Sequence, residues 1–209
     1  MATSVYIDGF NLYYGLLRGK ANRRWLDPVA LSARLLPGTT IAKIKYFTAR
    51  VRDFDGSGAH QRQDVYLQAL RTIPHLDIIE GSFRIGARRR KLVDPLDDGT
   101  TFVRVWIPEE KGSDVNLAAH LVLDGARCKY DRALVITNDS DLAEPIRLVQ
   151  HELNMDIIIA HPSKSIAGAL ENVHPACSMP IRVNSILQSQ FPDPVLDRTG
   201  HPIRKPRGW

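Results

Sequence analysis

The sequence predicts an α/β fold built on a mostly parallel β-sheet. Segments with the pattern of strands alternate along the chain with segments whose apolar residues recur at helical spacing. Three of the strand segments, at residues 5–7, 133–136 and 157–159, are continuously apolar instead of alternating between apolar and polar residues. Strands that are buried on both faces have this character, and they occur in parallel sheets covered by helices on both sides.

The first half of the chain contains three predicted strands and three predicted helices. The strand at 5–7 ends in Asp8 and Gly9, and Asn11 is placed to cap the first helix, whose apolar residues follow it. The remaining elements are a helix at 29–36, a strand at 41–51, a helix at 60–73 and a strand at 76–79.

The second half begins with an insertion. Two alternating segments flank a basic stretch and predict a β-ribbon at about residues 83–107, and the pattern leaves open whether its strands extend the main sheet. The elements that follow are a long helix from Ser113, a buried strand at 132–137, a helix opened by Asp141 and a last buried strand at 155–160. Residues 1–191 are therefore predicted to form one domain, followed by an irregular, basic, Pro-containing tail at 192–209.

Composition limits the class of protein. The chain has 209 residues, of which 44% are hydrophobic and 24% charged, which predicts a globular core and excludes wholesale disorder. No stretch approaches the roughly 18 to 20 apolar residues that cross a bilayer, and the start of the chain lacks the pattern of a signal peptide. We therefore expect a cytoplasmic protein without a membrane partner. Cys128 and Cys177 lack metal-ligand spacing and are expected to be buried thiols.

The net charge of +5 is unevenly distributed along the chain. Residues 81–93 contain five basic and no acidic residues, the tail is also basic, and the rest of the chain is mildly acidic. A charged run is often only a solvated loop, but clustered arginines favour a polyanion such as RNA or DNA over a small acidic metabolite. The candidate nucleic-acid-binding residues, expected to contact phosphates without reading sequence, are Arg84, Arg88, Arg89, Arg90 and Lys91.

Four aspartates follow the predicted strands or begin a helix. Asp8 ends the first strand, Asp139 and Asp141 follow the strand at 132–137, and Asp114 begins the long helix. Each alone fits helix capping or turn chemistry, but neighbouring parallel strands would bring all four to one pocket at the sheet edge. Clustered carboxylates require a cation or a proton, and without clustered His or Cys they favour Mg²⁺ or Mn²⁺ over Zn²⁺.

Three sequence blocks carry a resemblance to a known family. Residues 8–11 (Asp-Gly-Phe-Asn), 111–118 (Lys-Gly-Ser-Asp-Val-Asn-Leu-Ala) and 137–142 (Thr-Asn-Asp-Ser-Asp-Leu) resemble, in order, the signature blocks of NYN domain proteins. This family belongs to the PIN-like nuclease superfamily, and the most similar group is that of the LabA-like (DUF88) proteins. The resemblance implies a Rossmann-like three-layer α/β/α sandwich with strand order 3-2-1-4-5 and a metal-dependent ribonuclease activity.

The resemblance also implies roles for individual residues. Asn11 would be a polar catalytic residue that supports the cluster, and Thr137 resembles the hydroxyl residue that ends the fourth strand in the family. The acidic cluster that would hold the metal and act in catalysis consists of Asp8, Asp114, Asp139 and Asp141.

The expected chemistry is hydrolysis of RNA by a metal-activated water molecule, with single-stranded RNA as the substrate and a 5′-phosphate and a 3′-hydroxyl as products. Tyr13, Tyr14 and Trp106 could stack on unpaired bases, although tyrosines at helical spacing are more often core residues. The alternative is a catalytically weak RNA-binding or regulatory module that keeps the acidic pocket. A phosphatase of the haloacid dehalogenase type is disfavoured because Phe10 stands where that chemistry requires a second Asp.

Overall fold

The computed structural model describes residues 2–53 and 56–209 and confirms the predicted α/β class. The strands are β1 Thr3–Asp8, β2 Ile41–Thr48, β3 Leu76–Glu80, β4 Ser82–Lys91, β5 Phe102–Lys111, β6 Arg132–Ile136, β7 Asp156–His161, β8 Cys177–Pro180, β9 Val195–Leu196 and β10 Pro202–Ile203. The helices are α1 Gly9–Leu12, α2 Pro28–Leu35, α3 Ala59–Leu70, α4 Ser113–Ala126, α5 Ala143–His151, α6 Gly168–Glu171 and α7 Val183–Leu187. A π-helical turn, Tyr13–Leu17, continues α1, and a 3₁₀ turn, Ser140–Leu142, precedes α5.

The central sheet has six parallel strands in the order β3-β2-β1-β6-β7-β8. With the ribbon set aside, its first five strands have the predicted order 3-2-1-4-5. The short edge strand β8 was not predicted, because its four residues carry no apolar run. The strand order reverses between β1 and β6, and Ile7 pairs with Ile136 there, so the residues that follow both strands meet in one crevice.

Helices cover both faces of the sheet, as the apolar strands predict. Side chains alternate between faces along a strand. Val5 and Ile7 pack in a cluster with residues of α2, α3 and α7, whereas Tyr6 between them packs in a second cluster with residues of α4, α5 and α6. The three-layer sandwich thus buries both faces of β1.

A buried polar network holds α4 against the sheet. Asp124 of α4 is only 3% exposed and accepts hydrogen bonds from the Tyr6 hydroxyl (2.9 Å) and the Lys45 ammonium group. Burial alone would raise the pKa of Asp124, but the hydrogen bonds from Lys45 and Tyr6 hold it below its usual value. Because α4 also carries Asp114 near its start, this network fixes the helix that delivers that carboxylate.

The inserted ribbon is a separate antiparallel sheet and does not extend the main sheet. Strands β4 and β5 pair over their full length, from Ser82 opposite Lys111 to Lys91 opposite Phe102. The ribbon therefore spans 82–111, slightly more than predicted.

The C-terminal segment, expected to be an irregular tail at 192–209, packs on the body of the protein. Its strands β9 and β10 form a short hairpin. The Trp25 indole donates to the carbonyl oxygen of Pro192 (3.0 Å), and the Trp209 ring lies 5.9 Å from that of Tyr66. These contacts join residues far apart in sequence, which explains why local composition did not reveal them.

The expectation of buried thiols was wrong, since Cys128 and Cys177 are both exposed and unpaired. Cys128 lies in the turn after α4, and Cys177 begins the edge strand β8. In the described parts of the chain, no helix is both long enough and apolar enough to span a membrane.

Candidate metal centre

Asp8 is the most buried carboxylate of the site, at 3% exposure. It ends β1 and is the N-cap of α1, where its Oδ1 accepts the backbone N–H of Asn11 at 2.9 Å. The expectation that Asn11 caps this helix was therefore wrong, since Asn11 lies inside it. Gly9 is required next to Asp8, because a Cβ atom there would lie 2.7 Å from the Phe47 carbonyl oxygen and 2.8 Å from the Tyr46 ring.

Thr137 connects the two carboxylates that follow neighbouring strands. Its buried hydroxyl group donates to Asp8 Oδ2 (3.0 Å) and accepts the backbone N–H of Asp139 (3.0 Å). Thr137 therefore lies between the two carboxylates, at the position for which the family resemblance implies a supporting residue. Asp139 in turn accepts the N–H of Asp141 (3.0 Å) and caps the 3₁₀ turn, so the helical region begins at Ser140 rather than at Asp141 as expected.

Asp114 completes the group from the first turn of α4. Carboxylate oxygens of Asp8, Asp114 and Asp139 lie within 4.8 Å of one another, which is close enough for one cation to contact all three. The crevice between β1 and β6 thus brings together three of the four aspartates singled out in the sequence.

The fourth aspartate lies outside this group. Asp141 is exposed and does not belong to the three convergent carboxylates, although its charge contributes to raising the pKa of Asp114. Asn11 lies beside the cluster. Its Oδ1 accepts the backbone N–H of Asn138 (2.9 Å), which positions the segment that leads to Asp139.

A solvent-accessible cavity of about 630 Å³ opens over the cluster and is called the acidic cavity here. Besides the three aspartates it is lined by Glu110, which sequence reasoning missed. Glu110 Oε1 accepts the backbone N–H of Ser113 (2.9 Å) at the start of α4, and its charge raises the pKa of Asp114. The only sequence signal was its position four residues before Asp114, at the end of a ribbon strand.

The electrostatics of the cluster favour a bound cation. Burial raises the pKa of Asp8 to about 7, the nearby charges of Asp114 and Asp139 add to this, and the hydrogen bonds from Asn11 and Thr137 oppose it. Burial, followed by the charges of Asp139 and Glu110, also raises the pKa of Asp114. A divalent cation would offset this repulsion, and an all-oxygen donor set fits a hard cation.

The ribbon distributes its basic residues over two faces. Directly paired residues share a face, and successive residues alternate. We call the face that carries Phe83, Pro108 and Glu110 the site face, because these three residues line the acidic cavity. It also carries Arg89, Lys91, Phe102, Arg104 and Trp106.

The opposite side of the ribbon, the back face, carries Arg84, Arg88 and Arg90. Of the five predicted basic residues, only Arg89 and Lys91 therefore lie on the site face. Arg104, which pairs with Arg89, lies there too. Trp106 on the site face is 66% exposed, and the Arg89 guanidinium lies 4.2 Å from the centre of the Phe102 ring.

Of the other candidate stacking residues, Tyr14 is 58% exposed at the acidic cavity, whereas Tyr13 is half-buried against the core. Phe102 was not predicted as a stacking residue, although it begins a segment with the alternating pattern of a strand, in which every second side chain can face solvent. The site face thus combines exposed aromatic rings with positive charge.

The fold and the site define an α/β protein with a candidate cation site in the crevice of a parallel sheet. No established family model matches the chain. The chain is 30% identical over 189 residues to 6-hydroxy-3-succinoylpyridine 3-monooxygenase HspA of Pseudomonas putida (strain DSM 28022 / S16); the alignment covers 78% of this chain and 60% of that protein. The chain therefore spans less than two thirds of that relative's length.

Among solved structures, the fold is similar to that of a protein of unknown function from Vibrio parahaemolyticus RIMD 2210633. The TM-score is 0.54 at 14% sequence identity, and the similarity covers 87% of this chain and 93% of that one. At this identity the similarity concerns the fold alone.

Proposed function

We propose that the protein is a metal-dependent ribonuclease of the NYN group in the PIN-like superfamily. The observation that carries the proposal is the convergence of carboxylate oxygens from Asp8, Asp114 and Asp139 within 4.8 Å in an open cavity. Each of the three sequence blocks that resemble the family supplies one of these carboxylates. An RNA substrate also fits the expected cytoplasmic location.

Asp8, Asp114 and Asp139 would hold Mg²⁺ or Mn²⁺. Such an ion supplies activation of a water molecule and compensation of charge on the phosphate. Thr137 holds Asp8 and Asp139 next to each other through its two hydrogen bonds, and Asn11 fixes the backbone before Asp139. The residues of the chain therefore orient the ligands, and the buried position of Asp8 keeps its carboxylate from turning into solvent.

Single-stranded RNA is the proposed substrate because the site face of the ribbon offers both contacts that an unpaired strand needs. Arg89, Lys91 and Arg104 would contact phosphates, and the exposed Trp106 ring would stack on a base. The acidic cavity alone would repel a phosphodiester, so these cations and a bound metal ion are both required to hold it.

The proposal is tested with purified wild-type protein and 5′-labelled single-stranded RNA. We expect cleavage with Mn²⁺ or Mg²⁺, no cleavage in EDTA, and products that carry a 5′-phosphate. Single-stranded DNA and duplex RNA serve as comparison substrates. RNA that stays intact with every divalent metal would contradict the nuclease proposal, and intact but tightly bound RNA would favour the RNA-binding alternative.

A second candidate function comes from the named relative. Its name describes a monooxygenase acting on a substituted pyridine, and this chain aligns with 60% of its length. Incubation with 6-hydroxy-3-succinoylpyridine, dioxygen and a nicotinamide reductant tests this candidate. Substrate-dependent consumption of both co-reactants with formation of a hydroxylated product would support it, and unchanged substrate would remove it.

The two faces of the ribbon give a prediction with a matched control. The double variant Arg89→Ala/Arg104→Ala should bind single-stranded RNA about tenfold more weakly, because each cation on the site face contacts a phosphate. The slope of log K against log salt should fall by about 1.4 in magnitude, at about 0.7 per lost contact. Fluorescence anisotropy at several salt concentrations measures both quantities.

The control is Arg88→Ala/Arg90→Ala on the back face, which removes the same charge. It should retain most of the affinity and slope. Equal losses in both variants would show that the ribbon acts only through its total charge, and no loss in either would show that the ribbon does not contact RNA.

A further inference from the structure

A second cavity lies beside the acidic cavity and has the opposite charge. It has a volume of about 410 Å³ and lies between the π-helical turn after α1, the first turns of α3 and the C-terminal residue. Four residues line both cavities and form the partition between them, namely Phe10, Tyr14, Phe83 and Pro108. A volume of this size accommodates a small organic molecule or one nucleotide.

Aromatic rings form the inner wall of this second cavity. Tyr46 and Tyr66 are buried and pack edge to face with their ring centres 6.2 Å apart. The Trp209 ring lies 5.9 Å from that of Tyr66 and closes the wall from the C-terminal end. Rings held in this way offer flat surfaces against which a planar aromatic ligand can stack.

Among the residues that the structure describes, the charged side chains that line the cavity are all arginines, and we call it the arginine cavity. No Asp or Glu side chain contributes to its described lining, and none of the four guanidinium groups forms an ion pair with a carboxylate of residues 2–53 or 56–209. These four residues are Arg18, Arg24, Arg52 and Arg62. Several uncompensated cations around one apolar space favour an anionic ligand.

Two polar atoms of the lining add an independent indication. Arg24 Nε and Trp209 Nε1 are both buried and have no hydrogen-bond acceptor among the residues that the structure describes. The two side chains are in contact, since the Arg24 guanidinium lies 5.7 Å from the centre of the Trp209 ring. Buried donors without acceptors are uncommon in folded proteins, so these two side chains leave hydrogen-bonding capacity unused at the edge of the cavity.

We propose that the arginine cavity binds an aromatic anion, a planar ring that carries a phosphate or carboxylate group. The ring stacks on the aromatic wall, and the anionic group accepts hydrogen bonds from the guanidinium groups. Two sources share this chemistry, a nucleotide unit and a free aromatic acid. If the ligand is a nucleotide of a bound RNA, the RNA strand would continue past Phe10 and Tyr14 toward the carboxylate cluster. A free aromatic acid would occupy only the arginine cavity.

The test measures binding to the full chain in EDTA, so it is independent of cleavage and of the metal centre. Isothermal titration calorimetry and tryptophan fluorescence are used with 5′-AMP and 5′-UMP in one arm and benzoate and 4-hydroxybenzoate in the other. Adenosine and phenol are the neutral counterparts, and inorganic phosphate tests the anion without a ring. At least one arm should bind about tenfold or more tightly than its neutral counterpart and than phosphate.

The matched variants locate the binding. Arg52→Gln/Arg62→Gln removes two cations of the cavity and should weaken binding about tenfold or more, whereas Arg34→Gln/Arg127→Gln removes two exposed cations elsewhere and should not. Thermal melting confirms that the variants fold. Trp209→Phe keeps a ring and removes the unpaired donor, so it should weaken binding to a smaller extent.

The arm that binds identifies the source. Binding of nucleotides alone assigns a nucleotide subsite, binding of the carboxylates alone assigns a metabolite site, and binding of both supports the shared chemistry. Equal affinity for neutral and anionic probes, no binding in either arm, or full affinity of the Arg52→Gln/Arg62→Gln protein would overturn the proposal.

Discussion

Replacing Asp139 by Asn should lower kcat/KM for Mn²⁺-dependent RNA cleavage by at least about 100-fold, which corresponds to about 2.7 kcal/mol of lost transition-state stabilisation. The carboxylate of Asp139 is one of three that converge within 4.8 Å, and the amide would remove one negative charge from that group. Asn is also a preferred N-cap, so the 3₁₀ turn that Asp139 caps should persist. The affinity for Mn²⁺, measured by calorimetry, should fall in parallel.

Asp141→Asn is the matched control, because it makes the same chemical change two residues away. Asp141 is exposed and lies outside the convergent group, so this variant should lose less than about tenfold in kcat/KM. Similar losses in the two variants would mean that Asp141 also acts at the metal, as the resemblance to the NYN family implies. Full activity of Asp139→Asn would remove Asp139 from the site.

The stability of the metal-free protein should fall as pH rises, mainly because of Asp8. The folded-state pKa of Asp8 is raised from 3.8 to about 7, so the protonated carboxyl group stabilises the fold fully below pH 3.8. This contribution falls as pH rises towards 7 and is lost above the folded-state pKa. A shift of this size corresponds to about 4 kcal/mol, and the raised pKa of Asp114 acts in the same direction.

Urea denaturation in EDTA between pH 4 and pH 8 measures this dependence. Asp8→Asn should flatten most of the slope, leaving the smaller part from Asp114. Saturating Mn²⁺ should restore the stability of the wild-type protein at pH 8, because a bound cation stabilises the folded state. An Asp8→Asn protein with the wild-type slope would show that Asp8 does not titrate in this range.

The sequence predicted the sheet and the positions of Asp8 and Asp139 well, because both depend on local signals. A continuous apolar run such as 133–136 identifies a buried strand, and a residue that directly follows such a strand must lie at the sheet edge. Spacing could not show that the 3₁₀ turn directs Asp141 away from the cluster. That outcome depends on the backbone N–H groups of Asp139 and Asp141, which donate to the Thr137 hydroxyl group and the Asp139 carboxylate, respectively.

Features set by distant pairing were missed. Glu110 reaches the acidic cavity only because β5 pairs with β4 in a register that places it opposite Phe83. The arginine cavity depends on the packing of Trp209 near Tyr66, two residues that are far apart in the sequence. Neither contact has a local pattern, so composition and periodicity carry no information about it.

The base of the ribbon, where β4 begins and β5 ends, lies next to the start of α4. Glu110 belongs to β5, lines the acidic cavity and holds the first N–H group of α4 through Ser113. At the other strand, Gly81 packs so closely that a Cβ atom would lie 2.6 Å from the carbonyl oxygen of Lys111. The base of the ribbon is thus held in place by contacts on both of its strands. The ribbon, where we propose that RNA binds, and the helix that carries Asp114 therefore share one point of attachment.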